Sequence, residues 1–321
     1  MTRPLAQALA ERVVVLDGGL ATQLEAQGED LSGRLWSARL LFEHPGRAAV
    51  RAAHRAFFTA GAEIATSASY QVSRLALERA EKDGDLEKWL MWRSVVTASE
   101  ARRSECPQGW VAGSVGPYGA SLADGSEYTG RYGLGSRKNT VASLRLFHRP
   151  RLKSLAPWAD VLACETVPLL AEVEALAVEL TRLSEELEHA VPSWVSVTVA
   201  RRDGELRTRA GDRLSDVAAA LHGVPGLLAV GVNCCDPQDV APALAELVAG
   251  TGLPGVAYPN SGETWDARSR TWRGTSHWDD ALVGEWLDAG ARLVGGCCRV
   301  FPEQIARLAR LVAAAQVDRG G

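Results

Sequence analysis

Leu227-Leu-Ala-Val-Gly-Val-Asn-Cys-Cys235 and Ala291-Arg-Leu-Val-Gly-Gly-Cys-Cys-Arg299 are two apolar runs that end in paired thiols. Each is short, rich in Val, Leu and Ala, and bounded by turn residues, so each reads as a strand. An uninterrupted apolar run suits a strand buried on both faces, the usual state of a parallel sheet.

Outward from these two runs the same pattern recurs. Strands are expected at 12–17, 62–67, 110–116, 161–165, 194–199, 228–234, 255–259 and 292–297. Helical periodicity fills the intervals at 45–60, 73–103, 140–155, 169–188, 213–221, 238–249 and 278–289, and 302–315 closes the chain with Pro302 at a first helical turn. Eight strands alternating with helices predict an α/β fold, a (β/α)8 barrel spanning 1–321 as one domain. An open doubly wound sheet is the alternative. Against it, the first strand ends in Asp17-Gly18-Gly19-Leu20 and not in a G-x-G-x-x-G turn.

The composition excludes several classes. Net charge is −4 over 321 residues, with no basic block, so no nucleic-acid footprint is expected. Six cysteines are too few for a disulfide scaffold in a chain this long. The N-terminus lacks the apolar core of a signal peptide. The longest apolar stretch, 217–232, is interrupted by His222, Gly223 and Pro225, so no membrane association is expected. These features predict a cytoplasmic protein. No interface helix is evident, which leaves the oligomeric state open between a monomer and a weak homo-oligomer.

In a barrel the chemistry gathers at the C-terminal ends of the strands. Those ends carry Asp17, Ser69, Tyr70, Gly116, Glu165, Asn233, Cys234, Asn260, Cys297 and Cys298. Converging thiols form either a disulfide or a soft-metal site, and zinc is the default metal. Cys234, Cys297 and Cys298 would supply three thiolates and leave a fourth position open. Such a site binds a substrate thiol as thiolate, whereas a free thiol with a pKa near ~8.5 is mostly protonated at neutral pH. Cys235 should face away from Cys234, because side chains alternate along a strand. Cys106 and Cys164 read as packing residues. A non-catalytic redox or zinc sensor would instead close the site with Cys235 as a fourth ligand. A zinc hydrolase would need a general base, and no histidine sits at a strand end.

Asp17 and Glu165 are acids at buried strand ends and require a partner, which a substrate amino group would provide. Ser69, Tyr70, Asn233 and Asn260 are candidates to line the same pocket. His44, His54, His148, His189, His222 and His277 lack metal-ligand spacing and read as structural. Two long loops, 117–138 and 260–277, follow strand ends and are expected to cover the site.

The chain resembles the homocysteine S-methyltransferases almost end to end. The carrying segments begin with Leu16-Asp-Gly-Gly-Leu-Ala-Thr-Gln-Leu-Glu, Thr66-Ser-Ala-Ser-Tyr-Gln and Ala112-Gly-Ser-Val-Gly-Pro-Tyr-Gly. They continue with Leu122-Ala-Asp-Gly-Ser-Glu-Tyr, Leu162-Ala-Cys-Glu-Thr, Gly231-Val-Asn-Cys, Tyr258-Pro-Asn-Ser-Gly-Glu and Gly295-Gly-Cys-Cys-Arg. The resemblance implies a (β/α)8 barrel with one Zn2+ on Cys234, Cys297 and Cys298. It implies homocysteine held near Asp17 and Glu165, with Gly18 and Gly19 lining the site. The loops resemble the branch that uses S-methylmethionine or S-adenosylmethionine more than the betaine branch. Cys235 stands where a smaller residue is expected, so the sequence leaves open which of the adjacent thiols meets the metal. Tyr70, Tyr118, Tyr128, Trp265 or the rim acids are candidate contacts for a cationic sulfonium donor.

Overall fold

In a computed structural model, which describes residues 3–132, 140–266 and 271–320, eight parallel strands follow one another along the chain. They are β1 (Val14–Val15), β2 (Ile64–Thr66), β3 (Trp110–Val115) and β4 (Val161–Val167). Then come β5 (Ser193–Val197), β6 (Leu227–Asn233), β7 (Gly255–Tyr258) and β8 (Ala291–Val294). Each pairs in parallel with its neighbour, and β8 returns to β1 through Val14↔Leu293 and Val15↔Val294. A parallel bridge between Leu16 and Ile64 joins β1 to β2, so the sheet closes into the expected (β/α)8 barrel.

Side-chain alternation explains the two cores. Val13 and Val15 pack outward against the helices, while Val14 and Leu16 point into the lumen. Trp110, Ala112, Val161, Ala163, Trp194, Ala229, Val256, Tyr258 and Leu293 fill the same lumen. Leu5, Ala8 and Leu9, from a short N-terminal helix (Leu5–Glu11), join this cluster. That helix, absent from the sequence reading, is held by the Trp110 indole donating to the Arg3 carbonyl at 2.7 Å. Further along β3 to β6 the inward positions become polar: Ser114, Glu165, Ser196 and Asn233. The lumen is therefore a dry plug below and a hydrogen-bonding floor above.

The helix expected over 73–103 is two helices, Arg74–Arg79 and Glu87–Glu105. The break has local causes. Glu81 adopts a positive φ of 56°, and the Asp83 carboxylate accepts from the Asp85 amide at 2.9 Å. The Glu87 carboxylate accepts from the Arg74 amide and ties the two helices together. A helix at Leu20–Ala26 and a hairpin at Val199–Arg202/Glu205–Thr208 were also not legible from periodicity. The loop after β7 carries a second hairpin, Thr264–Asp266/Thr271–Arg273. No described helix is long and apolar enough to cross a membrane.

Two glycines make the packing testable. A Cβ on Gly231 would overlap the backbone carbonyl of Val256 on the adjacent strand, whereas one on the helical, exposed Gly284 would meet nothing within 4 Å. Gly231→Ala is expected to lower the urea-unfolding free energy by about 3 kcal/mol. Gly284→Ala should raise it by up to about 1 kcal/mol.

Candidate metal centre

The end of β7 brings the two thiol motifs together. The Cys297 amide donates to the Pro259 carbonyl at 2.8 Å, and the Ser261 amide donates to the Cys298 carbonyl at 3.1 Å. On the other side the Asn260 amide donates to the Cys235 carbonyl at 3.0 Å, and the Cys234 amide to the Tyr258 carbonyl at 3.3 Å. The Asn260 side-chain oxygen accepts from the Cys298 amide at 3.2 Å. The segment 258–261 thus stitches β6 to the turn after β8. The left-handed φ of Cys234, 50°, turns its thiol toward that turn.

The result is a cluster in which the sulfurs of Cys234, Cys297 and Cys298 all lie within 4.8 Å of one another. Cys234 and Cys297 are joined sulfur to sulfur, with Cα atoms 5.6 Å apart, and the Cys298 sulfur lies 3.9 Å from that of Cys297. Four thiolates at about 2.3 Å around a tetrahedral metal stand roughly 3.8 Å apart. Once reduced, the trio therefore fits one soft metal ion with a fourth position open. Among the described residues no other group of three or more His, Cys, Asp or Glu is close enough to share a metal. Cys235 is buried in the outer core, where burial pushes its thiol pKa up. Cys164 also packs in that core, its thiol pushed up to about 12.

Burial likewise pushes the Cys298 thiol up to about 11, opposed by a hydrogen bond from the Tyr128 hydroxyl. Tyr128 comes from a short turn, Ser126–Tyr128, in the loop after β3. Its own pKa lies well above the ordinary phenol value through burial and the nearby Cys298, so it remains a donor. The Thr166 hydroxyl is 3.9 Å from the Cys234 sulfur.

Asp17 and Glu165 flank this cluster as two buried acids. Asp17 accepts from the Thr66 amide at 2.7 Å and its hydroxyl at 2.9 Å. Burial nevertheless pushes its carboxyl up to about 8, and the charge of Glu165 adds to the shift. Glu165 is pushed up to about 7 by burial, against hydrogen bonds from Ser114 and Tyr258. Neither acid forms an ion pair among the described residues. Gly18 and Gly19 follow Asp17. A Cβ on Gly19 would lie 2.5 Å from the Cys297 carbonyl, so glycine lets the β1 end approach the thiols.

The remaining expected site residues divide by role. Tyr70 faces the centre: its phenol feels the charges of Glu127, Glu165 and Cys298 and bonds to Thr166. Asn233 is a brace, since its oxygen accepts from the Thr166 amide at 2.7 Å and the Ser196 hydroxyl at 2.8 Å. Its amide group donates to the Thr166 hydroxyl at 2.8 Å. Ser69 is also a brace, donating to the Ser114 carbonyl at 2.8 Å. Tyr118 packs on Tyr132 and Phe147, with ring centroids at 5.3 and 5.0 Å. The Trp265 side chain and residues 133–139 of the loop after β3 lie outside the described residues.

The sequence reading did not foresee how that loop is fixed. Buried Glu172 accepts from the Tyr118 amide at 2.6 Å, from the Tyr132 hydroxyl, and pairs with His148 Nε2 at 2.8 Å. Buried Arg151 donates to the carbonyls of Tyr70, Val72 and Gly116 at 2.9, 2.9 and 2.6 Å. Together they hold the β2 and β3 loop ends that present Tyr70 and Tyr128. The charged residues Glu172 and Arg151 on the buried faces of their helices are the signal in the sequence.

A raised carboxyl pKa has a definite sign in stability. Glu165 holds its proton up to about pH 7 when folded but only to about 4.5 when unfolded, so folding stability falls as pH rises between those values. Glu165→Gln is expected to raise the unfolding free energy by on the order of 3 kcal/mol at pH 8 and hardly at all at pH 4. Urea titrations at the two pH values measure it.

The family model for homocysteine S-methyltransferase matches residues 14–312. The homocysteine S-methyltransferase of Escherichia coli is 43% identical over 309 residues, covering 92% of this chain and 94% of the relative. A selenocysteine Se-methyltransferase of Brassica oleracea is 36% identical, over 91% and 86%. The metallated form of the Escherichia coli homocysteine methyltransferase MmuM superposes with a TM-score of 0.81 at 40% identity, over 96% of this chain and 99% of that one. With three clustered thiols at the mouth of a closed barrel and this likeness over nearly its whole length, the chain belongs to the homocysteine S-methyltransferase family.

Proposed function

We propose that the protein transfers a methyl group from a sulfonium donor, S-methylmethionine or S-adenosylmethionine, to the sulfur of homocysteine, giving methionine. The observation that carries this reading is the trio Cys234, Cys297 and Cys298, with sulfurs within 4.8 Å, beside two buried acids that pair with no cation among the described residues. A Zn2+ ion held by three thiolates would take a substrate thiol as thiolate at neutral pH. Asp17 and Glu165 receive the homocysteine ammonium, which supplies the partner their burial demands. Tyr128 donates to Cys298 and tempers its negative charge, and Asn260 fixes the Cys298 backbone. The homocysteine sulfur attacks the donor methyl carbon as the methyl–sulfonium bond breaks. The electron pair of that bond leaves with the donor sulfur as a neutral thioether, and the thiol proton goes to solvent. Alignment of the two sulfurs along one axis is the main service of the rigid barrel mouth.

Cys235, buried in the outer core, argues against a closed four-cysteine sensor. A reducing cytoplasm, where thiols stay free for metal, suits the chemistry. The Brassica relative, named for a selenocysteine acceptor, supports a second reading in which a selenol replaces the thiol.

The zinc-loaded protein should form methionine from homocysteine with S-methylmethionine or S-adenosylmethionine and should do so poorly with betaine. Chelation should stop turnover, and zinc alone should restore it. Cys298→Ser should abolish turnover and bind less than one zinc per chain; a Cys298→Ser variant with full zinc and normal rate would refute the ligand set. Tyr128→Phe should keep the fold but weaken zinc by about 10–100-fold in chelator competition, as loss of a partner to a metal ligand does.

A further inference from the structure

We propose that Glu127 recognises the positive charge on the donor sulfur, so that the pocket selects a sulfonium over a neutral thioether. This rests on the sulfonium-transfer reading above and names the residue that sets its donor class.

Glu127 is only 8% exposed, and its Oε2 atom is buried with no hydrogen-bond partner among the described residues. It precedes Tyr128, whose hydroxyl bonds to the Cys298 sulfur, in the same short turn of the loop after β3. Its charge acts on Tyr70 and Tyr128 and reaches Cys298. Burial pushes its carboxyl up to about 7, and Asp124 adds to the shift.

A buried carboxyl oxygen without a partner is costly unless a ligand completes it. The acids of the site outnumber the charge that the acceptor brings. Homocysteine carries one ammonium, and Asp17 and Glu165 already form a pair for it. Glu127 is a third acid on a different loop, and it needs a second cation. A sulfonium has no N–H or O–H to donate, so it is recognised by nearby negative charge and aromatic faces rather than by directed hydrogen bonds. Glu127, whose charge acts on Tyr70 and Tyr128, offers the first, and those two rings offer the second. Methyl transfer turns the donor sulfur into an uncharged thioether, and the attraction disappears. The same residue would thus hold the donor and let the product go.

The test is steady-state kinetics of the zinc-loaded wild type, Glu127→Gln and Glu127→Asp, with homocysteine and S-methylmethionine, together with inhibition by methionine competing with the donor. Methionine keeps the ammonium and carboxylate of the donor and lacks the second S-methyl group and, with it, the sulfonium charge. Glu127→Gln is expected to raise KM for S-methylmethionine by about tenfold or more. Its zinc content, its KM for homocysteine and its inhibition by methionine should each stay within about twofold of wild type, and Glu127→Asp should recover part of the donor affinity. An unchanged donor KM, or an equal loss for methionine and S-methylmethionine, would overturn the assignment. A wild type that turns over no sulfonium donor would overturn the transferase reading itself, a result distinguishable from an active enzyme indifferent to Glu127→Gln.

Discussion

Four backbone hydrogen bonds and one side-chain bond at the end of β7 are the constraint on which the site depends. Cys234 follows β6 and Cys297 and Cys298 follow β8, strands that do not pair with each other. Pro259, Asn260 and Ser261 bridge the gap by bonding to Cys235, Cys297 and Cys298. Backbone groups in a closed barrel have little freedom, so the thiols are positioned before any ligand arrives. Metal binding further requires that the sulfur–sulfur bond between Cys234 and Cys297 be reduced.

The same barrel prepares an electrically unusual mouth. Below it the lumen is packed with Trp110, Trp194, Leu293 and their neighbours, which exclude water. Above it Ser114, Ser196, Asn233 and Tyr258 form a network that supports Glu165 and Thr166. Three carboxyls, Asp17, Glu165 and Glu127, are left with raised pKa values and without ion pairs among the described residues. Stability is given up at these positions, a familiar pattern at functional sites.

Much of this was legible in the sequence because it depends on local pattern. The eight apolar runs, their turn residues and the rim position of Asp17, Glu165 and the thiols follow from periodicity two and strand polarity. Side-chain alternation correctly implied that Cys235 turns away from the cluster. What stayed hidden depends on long-range geometry. The split at 80–86 is set by Asp83 and by Glu87 reaching back to Arg74, which periodicity cannot register. Asn233 and Ser69 sit at strand ends, yet their hydrogen bonds are spent on the scaffold. The bond from Tyr128 to Cys298 joins residues 170 positions apart, and the His148–Glu172–Tyr132 brace comes from three separate elements.

The central claim is that three protein thiolates hold one zinc whose fourth position accepts the sulfur of homocysteine. Zinc-edge X-ray absorption on the reduced, zinc-loaded protein, before and after homocysteine, tests it most directly. The predicted result is three sulfur neighbours at about 2.3 Å and one lighter atom in the free protein, becoming four sulfurs when homocysteine is added. Four sulfurs already present without homocysteine, or no gain of sulfur on its addition, would contradict an open site that captures the substrate thiol.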